Sequence, residues 1–430
     1  MTDIPSDAAP IAAAAPAPAS SAARIQSLDV VRGIAVMGIL AMNIVAFAMP
    51  FSAYMNPASF GSESVADYAA WAVNFVLVDG KMRGLFSFLF GASTLLVIER
   101  AEASGQSAAK VHYSRMIWLL VFGLLHFYLI WFGDILAGYA LTGLLLFFFR
   151  NLGVRALITW GVALVLVQSL MMVALAFRVY QLAAQGTLTG AEAEEWAGFQ
   201  EGFGRLTEAR LNEEMALHLG PWTGIVERQL VEHGAEPFLS IFFFGWETLA
   251  YMLFGMAALK TGFFRGEWTA ARYRKVALIG LALTLPLYAT AAWANWSAGF
   301  TMESTILYSM AATTPLRPVI VFAYAALIIL AFRHGGWLAD RVAAAGRAAF
   351  TNYLGTSILM TALFYGWGLG LYGSLTRVEL YLPVLGMWAL MLLWSKPWLE
   401  RFRYGPFEWL WRSLARLELQ PMRKAAGPGS

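Results

Sequence analysis

Residues 115–149 read RMIWLLVFGLLHFYLIWFGDILAGYALTGLLLFFF, and after Arg115 the only formally charged residue in the run is Asp134. A bilayer core is crossed by roughly 17 to 25 apolar residues rising 1.5 Å each. This run is too long for one crossing and is divided around Trp131–Asp134. It therefore reads as two spans, 115–132 and 133–149, folded into a tight antiparallel hairpin. The same test applied outward finds apolar runs at 30–50, 81–98, 154–177, 237–260, 275–294, 308–332, 348–372 and 378–396. The fold expected is an all-α polytopic membrane protein with about ten transmembrane helices.

Composition agrees. Of 430 residues 59% are hydrophobic and only 13% charged, with a mean hydropathy of +0.60. A soluble domain carries about a quarter charged residues, because a water-facing surface needs them. The formal charge of +3 does not point to nucleic acid, since the basic residues form short clusters between apolar runs. With no cysteine in the chain, disulfides, thiolate nucleophiles and Cys-ligated metals are excluded. No phosphate loop, HExxH or GxSxG pattern occurs, and no metal is expected.

Lys and Arg set the orientation. With the N-terminus inside, Arg24, Arg32, Arg100, Lys110, Arg115, Arg150, Arg155, the cluster from Lys260 to Lys275, Arg333, Arg341, Arg347 and the C-terminal basic residues all fall on the cytoplasmic side. The exceptions are Lys81, Arg83, Arg178, Arg205, Arg210, Arg228, Arg317 and Arg377. Both termini are therefore expected in the cytoplasm, in a bacterial inner membrane. Residues 1–23, rich in Ala, Pro and Ser, read as a disordered tail rather than a signal peptide. The transmembrane domain is expected over 24–400 and a basic cytoplasmic tail over 401–430. Within 64–79, Tyr68, Trp71, Ala72, Phe75 and Val76 recur at helical spacing, which gives an interfacial or re-entrant amphipathic helix. The Glu-rich segment 179–236 reads as short helices capping the outer face.

Ionisable groups at bilayer depth are costly, so each is a functional candidate beside the plainer reading that it fixes helix packing. His126 lies roughly 9 Å below the outer end of its span, and Asp134 follows just past the turn. An imidazole oriented by a carboxylate is a standard general base, although a buried His on a backbone carbonyl is as common. Glu247 sits mid-span, and Arg317 lies between Pro315 and Pro318, where a broken helix would line a cavity. Asp29 and Arg32 open the first span and Arg115 the third, either as interfacial anchors or as a mouth for an anionic ligand. The 17 Trp and 16 Tyr read as interfacial belts and packing.

LDVVRGIAVMGILAMNI (28–44), RGLFSFLFGAS (83–93), LLVFGLLHFYLIWFGDILAGYALTGLLL (119–146), GRAAFTNYLGTSILM (346–360) and GPFEWLWR (405–412) together resemble the YeiB family. That family resembles in turn the transmembrane acyltransferase superfamily, which includes heparan-α-glucosaminide N-acetyltransferase and acyltransferase family 3. The shared cues are the opening LDxxRG and a bundle of about ten helices. The resemblance implies a cytoplasmic acyl-thioester donor, a buried histidine, an acceptor hydroxyl or amine on the opposite side, and a homodimer. This sequence departs from the pattern, because AFAMPFSAYMNPASFGSESV (46–65) has no histidine after the first span.

The leading expectation is acyl transfer from acyl-CoA or acetyl-CoA gripped by Arg32, Arg115 and Asp29. His126, oriented by Asp134, would act on the acceptor, with Asn43, Asn352 or Tyr353 at the oxyanion. Glu247 and Arg317 complete the candidate polar cavity. A transporter or lipid-binding protein using that cavity without chemistry is the alternative, and a membrane scaffold is a third.

Overall fold

The computed structural model describes residues 26–424. The proposed tail over 1–23 lies outside them, as do Arg24 and residues 425–430. Among the described residues there is no β-strand, and the only β pairing is an isolated bridge between Phe402 and Arg423. The chain begins with α1 (Gln26–Ala48), α2 (Phe51–Met55), α3 (Val65–Leu77), α4 (Lys81–Ala103), α5 (Ala108–Leu129) and α6 (Leu136–Phe149). Next come α7 (Val154–Ala184), α8 (Ala191–Phe203), α9 (Glu208–Leu219), α10 (Trp222–Val231), α11 (Glu236–Lys260) and α12 (Ala270–Ser297). The chain continues through α13 (Met302–Ser304), a π turn over 305–311, α14 (Arg317–Phe332), α15 (Trp337–Arg347), α16 (Ala349–Phe364), α17 (Tyr381–Arg401) and α18 (Pro406–Arg416).

Among the described residues seven helical runs are long and apolar enough to cross a membrane. The protein is thus an all-α multi-pass membrane protein. Helix α1 is its axis, buried along almost its whole length and packed by α4, α14, α15, α16 and α17. Close approach at one end is made by glycine. A Cβ on Gly33 would lie 2.1 Å from the Val342 carbonyl oxygen, and one on Gly346 1.9 Å from that of Asp29. These glycines belong to LDVVRG and GRAAFTNYLG, so the two motifs meet across the α1–α15 crossing. Gly91 and Gly255 let α4 and α11 meet in the same way, with Cβ positions 1.9 Å from the Met252 oxygen and 1.8 Å from the Phe88 oxygen.

Two expected spans have a different form. The run read as 348–372 is helical only to Phe364, and residues 365–380 fold back over the bundle. There the Gly366 N–H donates to the His218 carbonyl and the Gly373 N–H to that of Ala48, at 2.8 Å each. Tyr365, extended at φ −81° and ψ 156°, ends the helix where an apolar count alone continues it, and Gly370 and Gly373 turn the chain back at positive φ. The run read as 308–332 is interrupted over 312–316 before α14 resumes at Arg317. Pro315 cannot donate to a helical ladder there, and Pro318 follows in the first turn, where it is tolerated. The expected helix over 64–79 is present as α3, started by a capping box in which Ser64 and Asp67 satisfy each other's backbone N–H. Its Trp71 and Phe75 pack with Tyr288 and Phe300 of the α12 region. Gly80, at φ +71°, turns the chain sharply into α4.

Helices α8–α10 form the short-helix cap read from 179–236. Trp222 Nε1 donates to the Leu129 carbonyl at 2.7 Å, and Asn56 Nδ2 to that of Phe203 at 3.0 Å. These bonds fix the cap over the end of the bundle that carries the C-terminus of α5 and the N-terminus of α11. We call this the lid end. At the opposite, closed end lie the first turn of α1 and α18. Here the Glu408 carboxylate caps α16 by accepting from the Phe350 and Thr351 N–H groups at 2.7 and 3.1 Å. The described chain starts and finishes at this end, where α18 packs on α5 and α16.

Candidate functional site

At the lid end the helices diverge around a cavity of about 690 Å³. Its walls come from α1 (Asn43), α3 (Asn74), α4 (Arg83), α6 (Tyr139, Thr142), α11 (Phe244, Thr248) and the start of α14 (Arg317), and the lid closes it with Glu214 and Arg228. Its centre of charge is Glu247. Arg83 Nη2 donates to Glu247 Oε2 at 2.7 Å, Arg317 Nη1 to both oxygens at 3.2 and 3.3 Å, and the Tyr251 hydroxyl to Oε1 at 2.8 Å. Both arginines line the cavity, whereas Glu247, 1% exposed, stands behind them.

The sequence places these groups by its breaks. Gly80 leaves room for Arg317, whose Nε would lie 3.1 Å from a Cβ at that position. The interrupted stretch before α14 supplies Thr313 Oγ1, which accepts from Arg317 Nη2 at 3.3 Å. Asp79, on the cavity wall, accepts from the Tyr54 hydroxyl at 2.8 Å. Lys81 is buried with its Nζ on the Phe75 carbonyl oxygen and 3.5 Å from the Tyr288 ring centre. Lys81, Arg83 and Arg317 thus gather around Glu247 and Asp79.

His126 and Asp134 form the second element. Gly123, one turn before His126, lets α5 approach the start of α6 so closely that a Cβ would meet the Ala137 nitrogen at 2.2 Å. Asp134 is thereby carried to the imidazole. Its Oδ1 lies 2.8 Å from His126 Nδ1, and its Oδ2 accepts the Ala137 N–H at 2.7 Å. With the carboxylate on Nδ1, the proton belongs on that nitrogen and the lone pair on Nε2. Nε2 is buried and has no hydrogen-bond partner. The Tyr353 ring lies 5.2 Å from the imidazole, and the Tyr353 hydroxyl accepts the Ile135 N–H at 3.2 Å. Asp134 and Trp131 face the cavity, whereas His126 sits one layer behind them.

The candidates read from sequence therefore separate. Asn43, Asp134 and Arg317 line the cavity, and His126, Glu247 and Tyr353 back its wall. Asn352 lies elsewhere: its Nδ2 donates to the Ala345 carbonyl at 3.0 Å, and its Oδ1 accepts from Trp394 Nε1 at 2.9 Å. It braces helices, which disqualifies it as an oxyanion donor in this cavity. Asp29, Arg32 and Arg115 are at the closed end. Arg32 pairs with Asp29 at 3.2 Å and donates to Ser93 Oγ at 2.7 Å. Arg115 stacks on Trp411 at 4.3 Å and lies within electrostatic reach of Arg412 and Arg416. Arg412 is also within reach of Arg32, so these basic groups share one patch. The sequence reading missed Arg83, Lys81 and Tyr251. Its own orientation count held the signal, because Lys81, Arg83 and Arg317 are exceptions to the positive-inside bias, and exceptions need local partners.

Comparison with known proteins gives the lineage. Residues 258–418 match the family described as "Protein of unknown function (DUF418)". The "Uncharacterized protein YxaH" of Bacillus subtilis is 30% identical over 425 residues, covering 93% of this chain and 96% of that one. The "Uncharacterized protein YeiB" of Escherichia coli is 30% identical over 411 residues, covering 94% and 97%. A Bacillus acidopullulyticus protein described as an "Uncharacterized 39.9 kDa protein in amylase 3'region" is 24% identical over 391 residues, covering 91% and 93%. With such coverage at that identity, the chain belongs to the YeiB family and carries the DUF418 region in its C-terminal part.

Proposed function

We propose that this protein is a membrane acyltransferase whose acceptor occupies the lid-end cavity and whose base is His126. The observation that carries the reading is the unpartnered Nε2 of a buried imidazole whose Nδ1 is fixed by Asp134. A buried nitrogen without a partner costs about 1–3 kcal/mol, and a lone pair held ready for a substrate proton accounts for that cost. In the proposed step Nε2 takes the proton of an acceptor hydroxyl or amine as it attacks the thioester carbonyl. The C–S bond breaks, and the imidazolium returns the proton to the leaving thiolate. The donor would be an acyl-CoA or acetyl-CoA, its phosphates met at the closed end by Arg32 and Arg115 with Arg412 beside them. Tyr353, whose ring lies 5.2 Å from the imidazole, and Asn43, on the cavity wall, would stabilise the oxyanion.

The reading places ten spans in a bacterial inner membrane, with both termini cytoplasmic. Because the chain has no cysteine, single cysteines introduced at the exposed positions Ser104 and Thr187 report sidedness directly. Labelling of position 187 alone from outside supports the orientation, and the reverse pattern sinks it. The chemical test is transfer from labelled acyl-CoA to membrane acceptors. His126→Ala should lose about 10²- to 10⁴-fold, and unchanged turnover would remove His126 from the mechanism. A second reading, binding or transport without chemistry, is favoured by one observation: Arg83 and Arg317 line the open space, whereas His126 stands behind the wall. Saturable uptake into proteoliposomes by His126→Ala protein would favour it.

A further inference from the structure

The cavity is asymmetric in a way that names its ligand. Arg83 and Arg317 present guanidinium groups to the open space and share a single carboxylate, Glu247, that does not reach it. Asp79 is engaged by the Tyr54 hydroxyl, and Lys81 adds a third cation behind the wall. At the lid the acidic residues have their own partners: Glu214 pairs with Arg228 at 2.7 Å and Glu236 with His233 at 2.5 Å. The deep end therefore gathers three basic groups around two carboxylates, with two forked donors suited to an oxoanion beside the open space.

The adjoining wall, the first half of α11, is largely apolar and thin. Over its second half α11 is buried from Glu247 to Leu253 without a break. Over its first half it carries exposed Phe238, Leu239, Phe242 and Trp246 on the outside, while Ile241, Phe244 and Gly245 line the cavity on the inside. One helix face is thus all that separates the cavity from lipid, and the lid covers the aqueous side.

We propose that the cavity binds an anionic amphiphile, with a phosphate or carboxylate group on the Arg83–Arg317 pair and an apolar body along the first half of α11, admitted sideways from the leaflet at the lid end. This names the class of the acceptor. It rests on the acyl-transfer reading for the fate of the ligand, and on the cavity alone for its binding.

The test is a thermal-shift titration of the detergent-purified full chain with three probes: an oleoyl lysophosphatidate, the uncharged oleoyl monoglyceride and inorganic phosphate. The lysophosphatidate should bind at least about tenfold tighter than the monoglyceride, the difference one charge-assisted hydrogen bond makes. Glu247→Gln, which removes the competing carboxylate, should tighten lysophosphatidate binding. The charge-balanced pair Arg317→Gln with Glu247→Gln should abolish the preference while melting, without ligand, above Glu247→Gln alone. Equal affinity for the charged and uncharged lipids overturns the anion site, and so does weaker binding by Glu247→Gln. Inorganic phosphate binding as tightly as the lysophosphatidate overturns the amphiphile in favour of a small soluble anion. His126→Ala should keep the full preference, so a failed transfer assay beside intact binding counts against the chemistry alone.

Discussion

The two ends of the bundle use charge in opposite ways, and the helix crossings differ from the cavity wall in what their glycines face. At the closed end and through the middle of the bundle, Gly33, Gly91, Gly255 and Gly346 sit where a Cβ would lie about 2 Å from a facing backbone oxygen. At the lid end Gly138 lines the cavity, and a Cβ there meets nothing within 4 Å. Charges follow the same division. Arg32 is tied to Asp29 and Ser93, and Glu408 caps α16, so each completes a packing contact. Arg83 and Arg317, which share Glu247, instead line open space. The lid end encloses an open cavity, whereas these closed-end groups are engaged with neighbouring helices.

Glycine substitution is the strongest way to break this contrast. Gly255→Val drives its side chain into the Phe88 carbonyl, a backbone atom that cannot turn aside, so a loss of more than about 3 kcal/mol is expected. Thermal unfolding in detergent should show little folded protein. Gly138→Val should melt within a few degrees of the parent, since the new methyl groups enter empty space. Similar losses at both positions would abolish the distinction between the ends.

Next in size is Glu247→Ala. Removing the one carboxylate shared by Arg83 and Arg317 leaves two guanidinium groups uncompensated at bilayer depth, at a cost of about 3 kcal/mol. Restoring balance by adding Arg317→Gln should recover part of that loss in the same melting experiment. No recovery would mean that Glu247 acts through packing rather than charge.

The fold was largely legible because its signal is one-dimensional: apolar runs, and basic clusters between them, can be counted along the chain. All ten apolar runs correspond to helical segments, and 64–79 forms the amphipathic helix its spacing implied. The misreadings came where tertiary contacts end a helix that composition would continue, as at Phe364, where the chain turns to pair with His218 and Ala48. The site was legible in parts. His126 and Asp134 are eight residues apart and joined by a turn, so their pairing is local. Glu247 was visible as a buried charge but its partners were not, since Arg83 is 164 residues away in the chain. Asn352 shows the converse. It looks functional in a string and proves to brace Ala345 and Trp394, because a list of polar residues does not say which way each one faces.

The two asparagines sharpen the contrast at smaller scale. Asn352→Ala deletes donors and an acceptor that are fully used in a buried contact, so about 1–3 kcal/mol should be lost from stability. Asn43 faces the cavity, and Asn43→Ala should cost less than about 1 kcal/mol while altering ligand binding. Parallel melting and binding curves would separate the roles, and the opposite order would show that the cavity wall is structural.

The smallest expected effect lies in the lid, and its sign is set by two histidines. His218 is buried against Tyr372, with ring centres 4.3 Å apart, and burial holds its pKa below the ordinary value of about 6.5. As pH falls the unfolded or undocked segment takes up the proton first. The contribution of His218 is therefore complete above about pH 6.5 and is lost as pH drops through its folded pKa. His233 runs the other way: its hydrogen bond to Glu236 raises its pKa, so its contribution is complete below about pH 6.5 and fades as pH rises through the folded value. His218 is the more deeply buried, and its carbonyl also anchors Gly366, so the acid side should dominate. The protection factors of the amides of residues 208–219, after correction for the intrinsic exchange rate, should then fall on acidification, by at most about tenfold per pH unit for one proton. The transmembrane helices at the closed end should stay unchanged over the same range. A fall in protection in His218→Phe protein equal to that of the parent would place the response elsewhere in the lid.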